Sequence, residues 1–239
     1  MRPHVVGNSW GCPDFEGCSK HAMTAAAEIL RAAGVFMSVS AGNDGPECET
    51  IHTPPAFEPT VITVGAVDAS DDLAPFSSRG PVRIDGITYR KPDIVAPGVG
   101  VMGAHLNGSY RKLSGTSMAS PHISGSVALM SKKKTKINSF FKDCFLVSNC
   151  PCLNRDVDRI QAILESTTAK LYPSVSLLRK GKLCGEDTFT THPNNYYGYG
   201  RVDVKRAVET CREYCKGKSD GSELQLFAHG SIKSSSLFK

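Results

Sequence analysis

The strongest constraint on the fold is a strand–helix–strand succession at the start of the chain. Val5-Val6-Gly7-Asn8 reads as a short buried strand ending at Ser9-Trp10-Gly11. A loop rich in Cys, Pro, Asp and Gly follows. His21–Ala33 is alanine-rich, with Ala22, Ala26, Ile29, Leu30 and Ala33 spaced for one helical face. Gly34 ends that helix, and Val35-Phe36-Met37-Ser38-Val39 is a second strand. Two strands joined by a crossover helix require parallel pairing, and therefore a layered α/β fold.

The later elements extend this pattern. Thr60–Val67 reads as a third strand, and Asp93–Gly98 as a short strand broken by Pro and Gly and continued by Val99–Met102. Tyr110–Leu113 reads as an edge strand. A helix from Ser117 to about Met130 carries Ile123, Val127 and Met130 as a buried stripe. Asp156–Lys170 is a helix with Val157, Ile160, Ile163 and Leu164 on one face, and Asp203 is placed to cap a last helix holding Ala207 and Val208. Ser131–Asn154 has neither a helical nor a strand period and reads as an insertion. The stretch from Lys216 is rich in Ser, Gly and Lys and reads as a disordered tail. The expected organisation is one domain over residues 1–215, an atypical insertion at 131–154, and a tail over 216–239.

Composition narrows the function classes. Ser131–Leu153 and Lys216–Lys239 carry +4 and +2 of the net charge of +5, leaving −1 for everything else. A nearly neutral core gives no case for a nucleic-acid face. No stretch approaches 18 apolar residues, which argues against a membrane span, and Met1–Val6 lacks the apolar core of a signal peptide. Nine cysteines (12, 18, 48, 144, 150, 152, 184, 211 and 215) fit an oxidising compartment, and an odd number leaves at least one without a partner in the chain. Zinc is a competing use, although Cys150-x-Cys152 and Cys211-x3-Cys215 lack a matching histidine pair. Cys211 and Cys215, one helical turn apart, are also placed to face a core.

The chemistry centres on Leu113–Ser126. Gly115 and Thr116 lead into Ser117, and Pro121 shortly after is tolerated in a first helical turn. Ser117 thus lies where a loop enters a helix, facing unpaired N–H groups and the positive end of the helix dipole. That setting suits either an ordinary N-cap or a nucleophile that carries negative charge during attack on a carbonyl.

Gly115-Thr116-Ser117-Met118-Ala119-Ser120-Pro121-His122 resembles the nucleophile motif of the subtilisin-like serine proteases, the subtilases. Val6–Gly11, Ser40–Gly45, Phe76–Pro81 and Lys91–Gly98 resemble other stretches of the same family. The match is dense over Val5–Met130 and thin beyond it. The resemblance implies a three-layer α/β/α domain with a mostly parallel sheet, here with its N-terminal strands missing. It implies a serine endopeptidase acting on peptide or protein substrates, with Ser117 as nucleophile. The Ser117 N–H and the Asn43 side-chain amide would hold the oxyanion. Ser9, Trp10 and Gly11 would pair with substrate, and Ser40, Ala41 and Gly42 would form the facing wall of the first pocket. By the same resemblance Asp44 lies near that pocket's floor. From the residues alone, Asn43 is equally a turn residue, Asp44 a solvated loop acid and Trp10 a core side chain. The resemblance implies no cofactor; the family admits structural calcium, but no site for it is assigned here.

A serine hydrolase also needs a base and a group to orient it. In this family the chain order is Asp, His, Ser. No Asp-Thr/Ser-Gly or His-Gly-Thr-His motif is present, and His122, five residues past Ser117 on a helix, reads as structural. The expectation is a fragment lacking the catalytic Asp and His, with negligible activity by itself and marginal solubility, from a secreted or extracellular parent. The alternative is a pseudo-protease that binds peptides through Ser9–Gly11 and Ala41–Asn43 without cleaving them.

Overall fold

A computed structural model of the chain describes residues 3–12, 16–18, 20–131, 150–179 and 181–220. Most of the expected insertion (132–149) and of the expected tail (221–239) lies outside the described residues. In chain order the elements are β1 (Val5–Asn8), α1 (Lys20–Ala32), β2 (Phe36–Ser40), β3 (Ile62–Val67), β4 (Val82–Ile84), β5 (Ile87–Tyr89), β6 (Ile94–Pro97), β7 (Val101–Ala104), β8 (Tyr110–Leu113), α2 (Thr116–Ser131), α3 (Val157–Ser166) and α4 (Val204–Asp220).

The central sheet is wholly parallel, in the order β1-β2-β3-β6, with Val5 opposite Phe36, Ser38 opposite Ile62 and Val64 opposite Ile94. Side chains alternate between its faces, as strand geometry requires. Phe36, Ile62, Val64, Ala66, Ile94 and Ala96 pack on one face with Ala119, Ile123, Val127 and Met130 of α2 and with residues of α3 and α4. Val39, Ala41 and Val61 pack on the other with Ala27 of α1. This is the α/β/α layering a parallel sheet needs to cover both faces. The outer edge of β1 pairs with no strand among the described residues, and Val5 and Val6 are only half-buried.

Several sequence expectations need correcting. The apolar stripe on α1 is misplaced: Ile29 is 68% exposed and Ala22 and Ala26 are exposed, whereas Ala27 is buried. Polar tethers on the other side set the rotation. Thr24 Oγ1 donates to Glu58 at 2.7 Å, and Arg31 binds Asp158, Gln161 and the Thr60 carbonyl. Val101 does not continue β6. It opens a two-stranded antiparallel ribbon with β8, which stands off the sheet with nearly every residue exposed. A second small hairpin, β4–β5, turns at Asp85-Gly86 and was not anticipated. The last helix runs to Asp220, past the point where the tail was expected to start, and Asp203 caps it through the Arg206 N–H at 2.9 Å.

The cysteines form disulfides: Cys12–Cys18, Cys48–Cys184, Cys150–Cys211 and Cys152–Cys215. The last two clamp the 150–152 segment onto α4 and consume the sulfurs on which a zinc module would depend. Cys144 lies outside the described residues. The N-terminal end of the sheet holds a charged cluster. Lys91, 2% exposed, donates from Nζ to Asp93 at 2.6 Å and to the Val61 carbonyl at 2.9 Å. Nearby on α3, burial and then the Asp93 charge push the Glu165 carboxyl up to about 7, against the pull of Gln161, Lys91 and Arg31.

Candidate active site

Parallel sheets place their sites beyond the carboxyl ends of the strands. Here the ends of β1 and β2 meet the start of α2. Pro121 lies in the second turn of α2 rather than the first. Lacking an N–H, it cannot bond the Ser117 carbonyl four residues back. That carbonyl instead accepts the Ser9 hydroxyl at 3.1 Å, tying the end of β1 to the helix. In return the Ser117 hydroxyl lies 3.5 Å from the Ser9 carbonyl oxygen, its one partner among the described residues. Ser117 is half-buried at the head of α2.

Asn43 is held from one side. The Thr116 N–H donates to Asn43 Oδ1 at 2.9 Å, and Thr116 Oγ1 is 3.0 Å from the same atom. Thr116 Oγ1 also receives the Gly42 N–H at 3.3 Å and lies 3.2 Å from the Gly42 carbonyl. The donating N–H identifies the held atom as the amide oxygen, so the amide NH₂ is the free end. A Cβ placed on Gly115 would lie 3.7 Å from both Asn43 Nδ2 and the Ser117 nitrogen, so both border one small space. The Ser117 N–H belongs to the first helical turn and has no intrahelical acceptor. Two neutral N–H donors therefore border the space at Gly115, beside the backbone of Ser117.

The residues expected to form the pocket walls lie at and just beyond the ends of β1 and β2. Gly42 adopts φ +102°, and a Cβ there would meet Ser78 Oγ at 2.9 Å, so the position admits no larger side chain. Ser78 Oγ accepts the Asp44 N–H at 3.1 Å and braces the turn. Ser40 and Ala41 are buried at the end of β2, and Asp44 is exposed. Opposite, Gly11 faces Thr53, whose hydroxyl fills the space a side chain would need. Trp10 is half-exposed, with Nε1 donating to Asn8 Oδ1 at 3.2 Å, so the core-packing alternative does not hold. Sequence reasoning missed Thr116 and Thr53. A hydroxyl residue directly before the serine was the available signal for Thr116.

A cavity of about 420 Å³ opens on the other side of Ser117, lined by Met118, Pro121 and His122 of α2 and by Met102, His105 and Leu113 of the ribbon. His122 Nδ1 is 2.9 Å from the Met118 carbonyl, which ties the ring to its own helix. The structural reading of His122 is consistent with that geometry.

Comparison with known proteins agrees with this architecture. The model of the Subtilase family matches residues 1–200. The chain is 40% identical over 194 residues to subtilisin-like protease SBT6.1 of Arabidopsis thaliana, covering 77% of this chain and 15% of that protein. It is 32% identical over 225 residues to bacillopeptidase F of Bacillus subtilis, covering 92% of this chain and 13% of that protein. The solved structure of the prenylagaramide maturation protease PagA superposes with a TM-score of 0.57 at 25% identity, over 86% of this chain and 61% of that one. The chain thus spans a small part of the length of the curated relatives it matches. Among the described residues no helix is long and apolar enough to cross a membrane. Matched by the family model from residue 1 to residue 200, the chain belongs to the subtilase family.

Proposed function

We propose that the chain is the serine-bearing part of a subtilase endopeptidase domain, with Ser117 as nucleophile and with Asn43 Nδ2 and the Ser117 N–H as oxyanion donors. The observation that carries this reading is the clamp of Thr116 on Asn43 Oδ1, which leaves the amide NH₂ free beside Ser117. Ser117 Oγ attacks the scissile carbonyl, and charge develops on the carbonyl oxygen where two prepositioned neutral donors can stabilise it without reorganising. The substrate peptide lies between Ser9–Gly11 and Ser40–Gly42, pairing with the first through its backbone.

Proton transfer from Ser117 needs a base, and the described residues offer its hydroxyl only the Ser9 carbonyl. Neither family motif for the base and its orienting carboxylate is in the sequence, so another polypeptide segment must supply both. Until they dock, the chain binds peptide and turns over negligibly. Four disulfides support a secreted or extracellular parent protein.

The test is reaction with a fluorophosphonate probe in the presence and absence of free imidazole, which fits the cavity and substitutes for the missing base. Labelling is expected at Ser117 alone, faster with imidazole and absent in Ser117→Ala. Labelling without imidazole at the rate of a working serine hydrolase would overturn the missing base. Labelling that persists in Ser117→Ala would overturn the nucleophile.

A further inference from the structure

The tip of the β7–β8 ribbon carries chemistry that peptide hydrolysis does not use. Asn107-Gly108-Ser109 is the one Asn-x-Ser/Thr sequence in the chain. It sits in the turn between the two strands, fully exposed. The turn is closed from within: the His105 N–H donates to the Ser109 carbonyl at 2.8 Å, and the Ser109 hydroxyl donates to the Leu106 carbonyl at 2.8 Å. Asn107 takes a left-handed conformation (φ 57°, ψ 34°), which asparagine tolerates better than most residues. Its side chain makes no hydrogen bond among the described residues. Gly108, next to it, has open space where a side chain would point.

Two independent features point to a modification here. Eight cysteines pair in disulfides, which fits an oxidising compartment, and such acceptor sequences are modified in one. The residues flanking Asn107 are also unusually apolar for a turn: Leu106 is 76% exposed and Tyr110 75%. A bulky polar group on Asn107 would shield both.

We propose that Asn107 is an N-glycosylation site. A membrane-lipid diphosphate-linked oligosaccharide is the donor. A bond forms between the anomeric carbon of its first sugar and Asn107 Nδ2. The anomeric carbon–oxygen bond to the diphosphate breaks, the lipid diphosphate leaves with that electron pair, and one Nδ2 proton passes to a base of the transferase. The glycan stands on the turn that begins at His105, a residue that also lines the cavity at Ser117.

The full chain, placed behind a secretory leader and translated with endoplasmic-reticulum microsomes, tests this directly. Protease protection reports translocation independently of folding. The translocated chain is expected to carry one glycan, removed by peptide-N-glycosidase. In ¹⁸O water that enzyme leaves a labelled aspartate at position 107 in the tryptic peptide ending at Arg111, and a parallel ¹⁸O incubation without the enzyme measures the label that spontaneous Asn-Gly deamidation contributes. Asn107→Gln and Ser109→Ala are each expected to abolish the glycan, and Ser109→Thr to retain it. A protected chain without glycan, or a glycan surviving in Asn107→Gln, overturns the proposal. Neither result bears on the nucleophile, which the fluorophosphonate reaction reads separately.

Discussion

Replacing Glu165 by glutamine should change how stability depends on pH, by an amount the structure allows to be worked out. Glu165 lies half-buried on α3, where Gln161 Nε2 donates to it at 2.6 Å and Gln161 Oε1 accepts from Arg31 at 2.8 Å. Burial is the main reason its carboxyl moves from 4.5 to about 7, and Asp93 adds to the shift. The folded carboxyl therefore stays neutral where the unfolded one is already ionised. Its contribution is fully present below about pH 4.5 and is lost as pH rises through about 7. At about 1.4 kcal/mol per pKa unit, the shift corresponds to about 3 kcal/mol, or about 2 after allowing for the partly open rim. The assay is urea unfolding of the wild-type chain and Glu165→Gln at pH 4 and pH 8. Glutamine is neutral at both and still accepts from Gln161, and other titrating groups cancel in the difference between the proteins. The variant should gain about 2–3 kcal/mol on the wild type between the two pH values. A difference that stays constant, or moves toward the wild type at pH 8, would refute the buried-carboxyl reasoning.

Thr116→Val removes one of two donors to Asn43 and leaves the Gly42 N–H without its acceptor. It should cost about 1–2 kcal/mol in denaturant unfolding and slow imidazole-assisted labelling of Ser117; unchanged labelling would show that Asn43 is held by other means. Asp93→Ala strips the buried Lys91 ammonium of its carboxylate, so a loss of about 3–5 kcal/mol is expected, read from the denaturation midpoint. Replacing Cys48 and Cys184 by serine opens a crosslink spanning 136 residues and should cost about 5 kcal/mol on the chain-entropy account. The same change at Cys12 and Cys18, spanning 6 residues, should cost about 2; calorimetric melting should reproduce that order.

Much of the fold was legible from local pattern. The extended segments themselves, the buried stripes of α2 and α3 and the Asp203 cap each rest on patterns within a few residues, which periodicity and capping rules read directly. The α1 face was not legible. Its alanines suit either rotation, and the deciding contacts, Thr24 with Glu58 and Arg31 with Asp158, join residues far apart in the chain. The β7–β8 ribbon was read as sheet strands because extended segments look alike whether or not they join the main sheet. The role of Pro121 was likewise hidden, since a missing N–H acquires meaning only when Ser9 arrives to use the carbonyl it frees.

The sequence alone determined that Ser117 begins a helix after a tight turn, and that a parallel α/β layer stands behind it. These follow from backbone preferences and apolar spacing, both local. Only the tertiary structure decided that Asn43 is held by its amide oxygen, because the Thr116 groups that hold it approach from a distant segment. Only the tertiary structure brought Ser9 against Ser117, and it gave that hydroxyl no base among the described residues. A hydroxyl's reactivity is set by what lies within about 3 Å of it, and that neighbourhood is assembled from segments the chain keeps far apart.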